Sequence, residues 1–554
     1  MSNAAIFLHP DGYDTTGPRL MGRHSAGESF LRGFLRHADV ESHVFYSPSG
    51  HSVSQLAALV ERIHPTTKPV TWIAKHERPR LAEVGCLYYP QPSLAREAWN
   101  RRPYGPESYS ICGVTHTTAS HLAMDSIAEL MTGPTEPWDG LVCTSAAVRK
   151  GVETQLEAVR HDLVTRLGAT RLTLPQLATI PLGVNVDDFA RTPANRMAWR
   201  RKLDIPDDAI VALYMGRFSA AAKMNPAMMA MALEAAALAT GQQIYWVVAG
   251  WGGSDDLTAR FHAQVQTFCP QVHYRAVDGR PADTRFSIWS VADLFISFSD
   301  NVQETFGLTP IEAMAAGLPS VVTDWDGYRD TVRHGLDGFR IATMASRFGR
   351  DLAYHFSNGW VSYDNYLAAA AQMTTIDQTA AITALCDLIT QPELRTRMGV
   401  EAQAQARRVF DWAMIIPQYQ ALWAELAAIR RAAPRSDNSI RMVDDPRRLD
   451  PLHLFASYPT RAMAPDIAAT LVPGITWEVA RQRLASPMGA QGAWALPTLA
   501  EVQQLYDHVA AHPGSSLADL QATFPAHRRH FAERGLLWLA KFAVLSFSDM
   551  GTVT

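Results

Sequence analysis

The chain has 554 residues, too many for one ordinary domain at roughly 150 residues apiece, so two to four domains are expected. A composition of 47% hydrophobic, 19% charged and 9% aromatic residues excludes a disordered or fibrous chain, and a net charge of -4 lacks the basic excess of a nucleic-acid binder. Five scattered cysteines (Cys86, Cys112, Cys143, Cys269, Cys386) offer neither a disulfide framework nor zinc spacing.

The opening residues lack the basic stretch and apolar core of a signal peptide, and no apolar run reaches the roughly 18 residues of a membrane span. A cytoplasmic protein without a transmembrane segment is expected.

From the N-terminus, short apolar runs alternate with amphipathic ones. Strands are expected over 5–9, 42–46, 70–73, 109–113, 140–145 and 178–181, with helices over 28–36 and 146–167 between them. Strand–helix alternation predicts a mostly parallel sheet covered on both faces. After a polar stretch at 191–208, read as a linker, the alternation restarts. Strands are expected at 210–215, 244–249, 272–274, 294–297 and 320–323, with an Ala-rich helix over 226–239. Residues 343–373 interrupt this pattern as an insertion, and three helices follow over 379–390, 392–409 and 413–431.

The fold expectation is α/β: a Rossmann-like domain over 1–200, a second over 201–432, and a cleft between them at the carboxyl ends of the strands. A small, mostly helical, winged-helix-like domain is expected over 450–554, after polar, Pro-containing linkers near 434–438 and 444–448.

Several motifs fall at expected strand ends. Met21-Gly22-Arg23-His24-Ser25-Ala26-Gly27-Glu28 is a small-residue loop opening a helix, able to approach an anion closely or merely to turn the chain. His116 follows the strand ending at Gly113 and reads either as a structural group or as a side chain at the cleft floor. Gly216-Arg217, with Lys223 six residues on, could neutralise a diphosphate without a metal, or form a solvated surface pair. Gly250 closes another strand-to-glycine turn.

The sharpest feature is Glu304-Thr305-Phe306-Gly307-Leu308-Thr309-Pro310-Ile311-Glu312. Here Thr309 is expected as a helix N-cap with Pro310 at the first position, so that exposed amides face the cleft. Glu312 could then close a capping box, whereas Glu304 lies in the loop ahead of the helix.

The run from Glu304 to Glu312, continued by Ala313-Met-Ala-Ala-Gly317-Leu-Pro319, resembles the signature of retaining glycosyltransferases of family 4, which have the GT-B fold. The resemblance spans residues 1–432 apart from the insertion, and does not cover the tail. It implies that Glu304 contacts hydroxyls of a donor sugar and Glu312 the ribose. It further implies that Arg217 and Lys223 meet the donor phosphates and that His116 lies near the sugar. Gly22, Gly27, Gly216, Gly250 and Thr305–Thr309 would border the nucleotide. The implied reaction is transfer of a hexose from a UDP- or GDP-sugar, without cofactor or metal, to a glycan, lipid-linked or protein acceptor that the sequence does not name.

Two other readings share this architecture: a nucleotide-sugar epimerase or phosphorylase, and a non-catalytic scaffold acting through its tail. In the tail, Arg528, Arg529 and Trp538 could form a protein-interaction patch, or be a solvated helix end and a core tryptophan.

Overall fold

The computed structural model describes residues 3–15, 22–434 and 445–548. It divides into two compact units, Met1–Val443 and Asp444–Thr554.

The first unit contains two parallel sheets. The first is built from β1 (Ala5–Phe7), β2 (His43–Ser47), β3 (Val70–Ala74), β4 (Cys86–Tyr89), β5 (Ser110–Val114), β6 (Gly140–Cys143) and β7 (Gln176–Thr179), in the order β3-β2-β1-β4-β5-β6-β7. The second comprises β8 (Ile210–Phe218), β9 (Ile244–Gly252), β10 (His273–Asp278), β11 (Leu294–Ser297), β12 (Ser320–Thr323) and β13 (Gly338–Ile341), in the order β10-β9-β8-β11-β12-β13. β2, β4, β5, β6, β11 and β12 are buried along their whole length, because helices cover both faces of a doubly wound sheet.

The strand order reverses between β1 and β4 in one sheet and between β8 and β11 in the other. Such switch points open a crevice at the carboxyl ends of the strands. Two doubly wound domains with these ends opposed constitute a GT-B fold.

β4 and β13 were not anticipated from sequence. β4 is only four residues long, and β13 is an edge strand opened by a glycine. The expected linker at 191–208 instead contains a helix, Pro193–Lys202, capped by Thr192. Its Arg200 is buried and hydrogen-bonds the Ala209 carbonyl and the Asp293 carboxylate at 3.1 and 3.0 Å, so this polar stretch is anchored to the second sheet.

The insertion is an antiparallel pair, β14 (Thr343–Ala345) and β15 (Thr374–Ile376), enclosing helices Arg350–Ser357 and Tyr363–Gln372. The helical stretch at 392–409 ends as a π turn, Ala406–Phe410. The following helix, Trp412–Ala432, packs on the first sheet: Trp412, Ile415, Tyr419 and Trp423 join the core of Phe30, Phe34 and Tyr88. The chain thus crosses between the domains twice. Val184 and the 410–412 segment tie the two crossings by hydrogen bonds of 2.8 and 3.2 Å.

Among its described residues the second unit has β16 (Ala468–Leu471), β17 (Ser515–Ser516) and β18 (Leu545–Phe547), in the order β17-β16-β18. Helices Trp477–Leu484, Leu499–Ala511, Leu517–Ala522 and Arg529–Lys541 surround a core that includes Leu505, Val509, Leu520, Leu536 and Leu539. β16 and the 477–484 helix extend the three helices read from sequence. Arg528 pairs with Glu501 at 2.6 Å and lies over the Phe531 ring, and Trp538 packs against the core. The five cysteines are unpaired. Among the described residues no helix is long and apolar enough to cross a membrane.

Candidate active site

The loops that leave β8 and β11 converge, because these strands are neighbours in the sheet. The carboxyl end of β8 carries Gly216 and Arg217 and the loop after it Lys223, and the β11 loop carries Gln303 and Glu304. Lys223 Nζ donates to Glu304 Oε2 at 2.9 Å, and Arg217 Nη2 to Gln303 Oε1 at 3.3 Å. Burial alone would push the Glu304 carboxyl up, but the Lys223 ammonium, the Thr305 amide and the Arg217 charge hold it below the usual carboxylate range. Glu304 is therefore an anion facing two cations.

Beside this pair lies a cavity of about 290 Å³ lined by residues that include Gly216, Lys223, Ser299, Thr309 and Tyr328. The helix Leu308–Ala315 begins at its edge. Its N-cap is Gly307, at φ 82°, with no side-chain cap, so Thr309 and Pro310 are the second and third helical residues. The expected Thr309 cap and its capping box with Glu312 are thereby corrected: glycine alone fits the left-handed turn, and a Cβ there would collide with the Tyr328 ring. The first amides of the helix are left for an anion.

Glu312, with no capping role, borders a second cavity of about 540 Å³, walled by Ser25, Glu28, Ser29 and Arg32 of one domain and by Met215, Arg285, Phe286 and Leu308 of the other. Burial pushes its carboxyl up to about 7, against the opposing charges of Arg285 and Lys223. Met215 lines both cavities, so they form neighbouring compartments.

Other expected site residues have different placements. Phe306 is 1% exposed, and its ring is buried in the core beside Phe410. Thr305 bridges the domains: its Oγ1 donates to the His116 carbonyl at 2.7 Å, and its own carbonyl accepts from Thr144 Oγ1 at 3.4 Å. The His116 ring nitrogen Nε2 lies 3.0 Å from the Pro90 carbonyl oxygen and, facing an acceptor, carries the proton.

Gly250 lines neither cavity. A Cβ on it would strike the Gly216 carbonyl, so its glycine serves strand pairing. The loop expected from 21 to 28 is helical from Gly22 onward; Met21 lies outside the described residues. Gly27 lies inside that helix, where a Cβ would strike the Gly12 carbonyl. Close helix packing accounts for it.

Sequence reasoning missed Gln303, Arg32, Arg285, Ser145 and Asp326. Ser145 Oγ donates to Asp326 Oδ1 at 3.3 Å across the domains, and the Ala146 amide donates to Asp330 Oδ2 at 2.6 Å. Asp326 adopts φ 43°, and burial together with the Glu304 charge pushes its carboxyl up to about 7. Ser145 ahead of a long helix was a legible cap signal; the others carried none. Among the described residues no cluster of three or more His, Cys, Asp or Glu side chains could hold a metal ion.

Lys223, Arg217, Glu304 and the first amides of the 308–315 helix thus gather at one switch point of a GT-B fold. Residues 195–372 match the family model for glycosyl transferases group 1. The chain is 34% identical over 199 residues to a D-inositol 3-phosphate glycosyltransferase of Geodermatophilus obscurus, covering 32% of this chain and 39% of that protein. It is 25% identical over 178 residues to a lipopolysaccharide 1,2-N-acetylglucosaminetransferase of Salmonella typhimurium, covering 32% and 46%. The chain thus spans less than half the length of these curated relatives. Among solved structures, Anabaena HepE in complex with UDP and glucose aligns with 76% of this chain and 99% of its own, at 14% identity and a TM-score of 0.49.

Proposed function

We propose that this protein is a retaining glycosyltransferase that moves a hexose from a UDP- or GDP-sugar to an acceptor hydroxyl on a glycan, lipid-linked or protein substrate, without a metal ion. The observation that carries this reading is the convergence of Lys223, Arg217, Glu304 and the amides of the 308–315 helix at the β8/β11 switch point.

In this reading the donor pyrophosphate enters between the two cations and the helix N-terminus, displacing Lys223 from its pairing with Glu304. Glu304 is then available to accept hydrogen bonds from sugar hydroxyls, and Glu312 from the ribose in the adjoining compartment. As the bond from the anomeric carbon to the phosphate oxygen breaks, negative charge grows on the diphosphate, and the preorganised cations and amides stabilise it. The acceptor oxygen bonds the same face of the sugar and passes its proton to a donor phosphate oxygen, so no protein base is assigned. The Thr305, Ser145 and Ala146 contacts hold the acceptor-side domain over the donor loop. The match of residues 195–372 to the family model for glycosyl transferases group 1 supports this reading, since that stretch contains Arg217, Lys223, Glu304 and Glu312.

Screening nucleotide sugars by thermal shift, then trying acceptors, tests it. Glu304→Gln and Arg217→Ala should each lower turnover by about 10²–10³-fold with the fold retained. Near-normal turnover in both variants would overturn the assignment.

A further inference from the structure

The insertion between β13 and the helix Gln378–Thr390 touches both domains and reaches the phosphate-facing cation. Leu367 is buried against Ala119 of the first domain and Ala222 of the β8 loop, with Val302, Tyr363 and Tyr366 around them. Phe356 stacks on His121 of the first domain at 3.7 Å and on Tyr366 at 4.3 Å. From this wedge Tyr363 projects its hydroxyl to the β11 loop, where it accepts from Gln303 Nε2 at 3.2 Å. The opposite atom of the same amide, Oε1, accepts from Arg217 Nη2 at 3.3 Å. The Gln303 backbone amide donates to Asn301 Oδ1 at 2.9 Å, and Asn301 in turn donates to the Ala221 carbonyl. The side chain that orients Arg217 is thus fixed from both the loop and the insertion.

A carboxamide suits this position. It offers an acceptor to the guanidinium and a donor to the hydroxyl at once, which neither a carboxylate nor an alkyl group does. Arg217 is a long, rotamer-rich side chain, and an unsupported one loses conformational freedom when it binds an anion.

We propose that Gln303 and Tyr363 are positioning residues for Arg217, so that the insertion, seated against the acceptor-side domain, sets the geometry of the donor-phosphate cation. This rests on the donor reading above and adds to it a role for a segment outside the signature. The insertion acts on the diphosphate and leaves the nucleoside compartment alone, since Tyr363 and Gln303 do not border the cavity of Glu312.

Tyr363→Phe removes one oxygen and keeps the ring; Tyr354→Phe, on the exposed face of the insertion, is its control. Calorimetric titration with UDP and GDP, and with uridine and guanosine, reads the effect. For whichever diphosphate the wild type binds, Tyr363→Phe should weaken binding three- to tenfold, leave the nucleoside unchanged and lower kcat more than it raises the acceptor KM. Gln303→Leu should do the same. In an Arg217→Ala background Tyr363→Phe should have no further effect.

Unchanged diphosphate affinity in Tyr363→Phe, equal losses for diphosphate and nucleoside, or an undiminished effect without Arg217 would each overturn the proposal alone. A wild type that bound neither diphosphate would overturn the donor reading and this proposal with it.

Discussion

Glu304 and Glu312 stand eight positions apart on one loop and helix but differ in charge. Glu304 meets Lys223 and Arg217 and stays ionised, whereas Glu312 is driven by burial to titrate near 7. Because Glu312 ionises well above its ordinary value in the folded chain, the folded state holds more protons than the unfolded one between about 4.5 and 7. Its contribution to stability therefore falls as pH rises through that window, and the cost is complete above 7. Glu312→Gln should raise the melting temperature at pH 8 by ~2–4 °C, corresponding to about 1 kcal/mol in a domain of this size, with the gain gone below pH ~4.5. The same variant should weaken nucleotide binding, as site residues often trade stability for function. Melting curves at pH 4, 6 and 8 check the sign: a variant destabilised at pH 8 would contradict the assigned cost.

At the scale of elements, Gly307 carries the turn from the β11 loop into the 308–315 helix. Its positive φ and the Tyr328 ring both exclude a side chain. Gly307→Ala should cost about 1–3 kcal/mol through backbone strain alone and shift the helix N-terminus away from the cavity of Lys223 and Thr309. Differential scanning calorimetry together with diphosphate titration checks both effects; unchanged melting would refute the packing account.

Strand–loop–helix order around Glu304 was legible from sequence, as were most of the parallel strands, because buried strands read as apolar runs. The cap was misplaced by two residues because Thr309-Pro310 is a strong local start signal, while the backbone conformation of Gly307 is set by Tyr328, distant in sequence. The 193–202 helix was hidden by charge: the terminal nitrogens of its buried arginine bond carbonyls and Asp293, partners that no local pattern announces. The Tyr363–Gln303–Arg217 chain joins three separate segments and left no trace in spacing.

For the molecule, the two domains are joined by the crossings near Val184 and Phe410 and by polar contacts over the cleft, among them Thr305 with His116 and Asp330 with Ala146. The 304–312 segment thus both borders the two cavities and contacts the first domain. In the proposed reading a pyrophosphate lies between Lys223, Arg217 and the first amides of the 308–315 helix. The decisive measurement is a crystal structure with UDP or GDP bound. Phosphate oxygens are expected within hydrogen-bond distance of Lys223 Nζ, the Arg217 guanidinium and the amides of Leu308 or Thr309; a diphosphate bound elsewhere, with the Lys223–Glu304 pair intact, would rule the reading out.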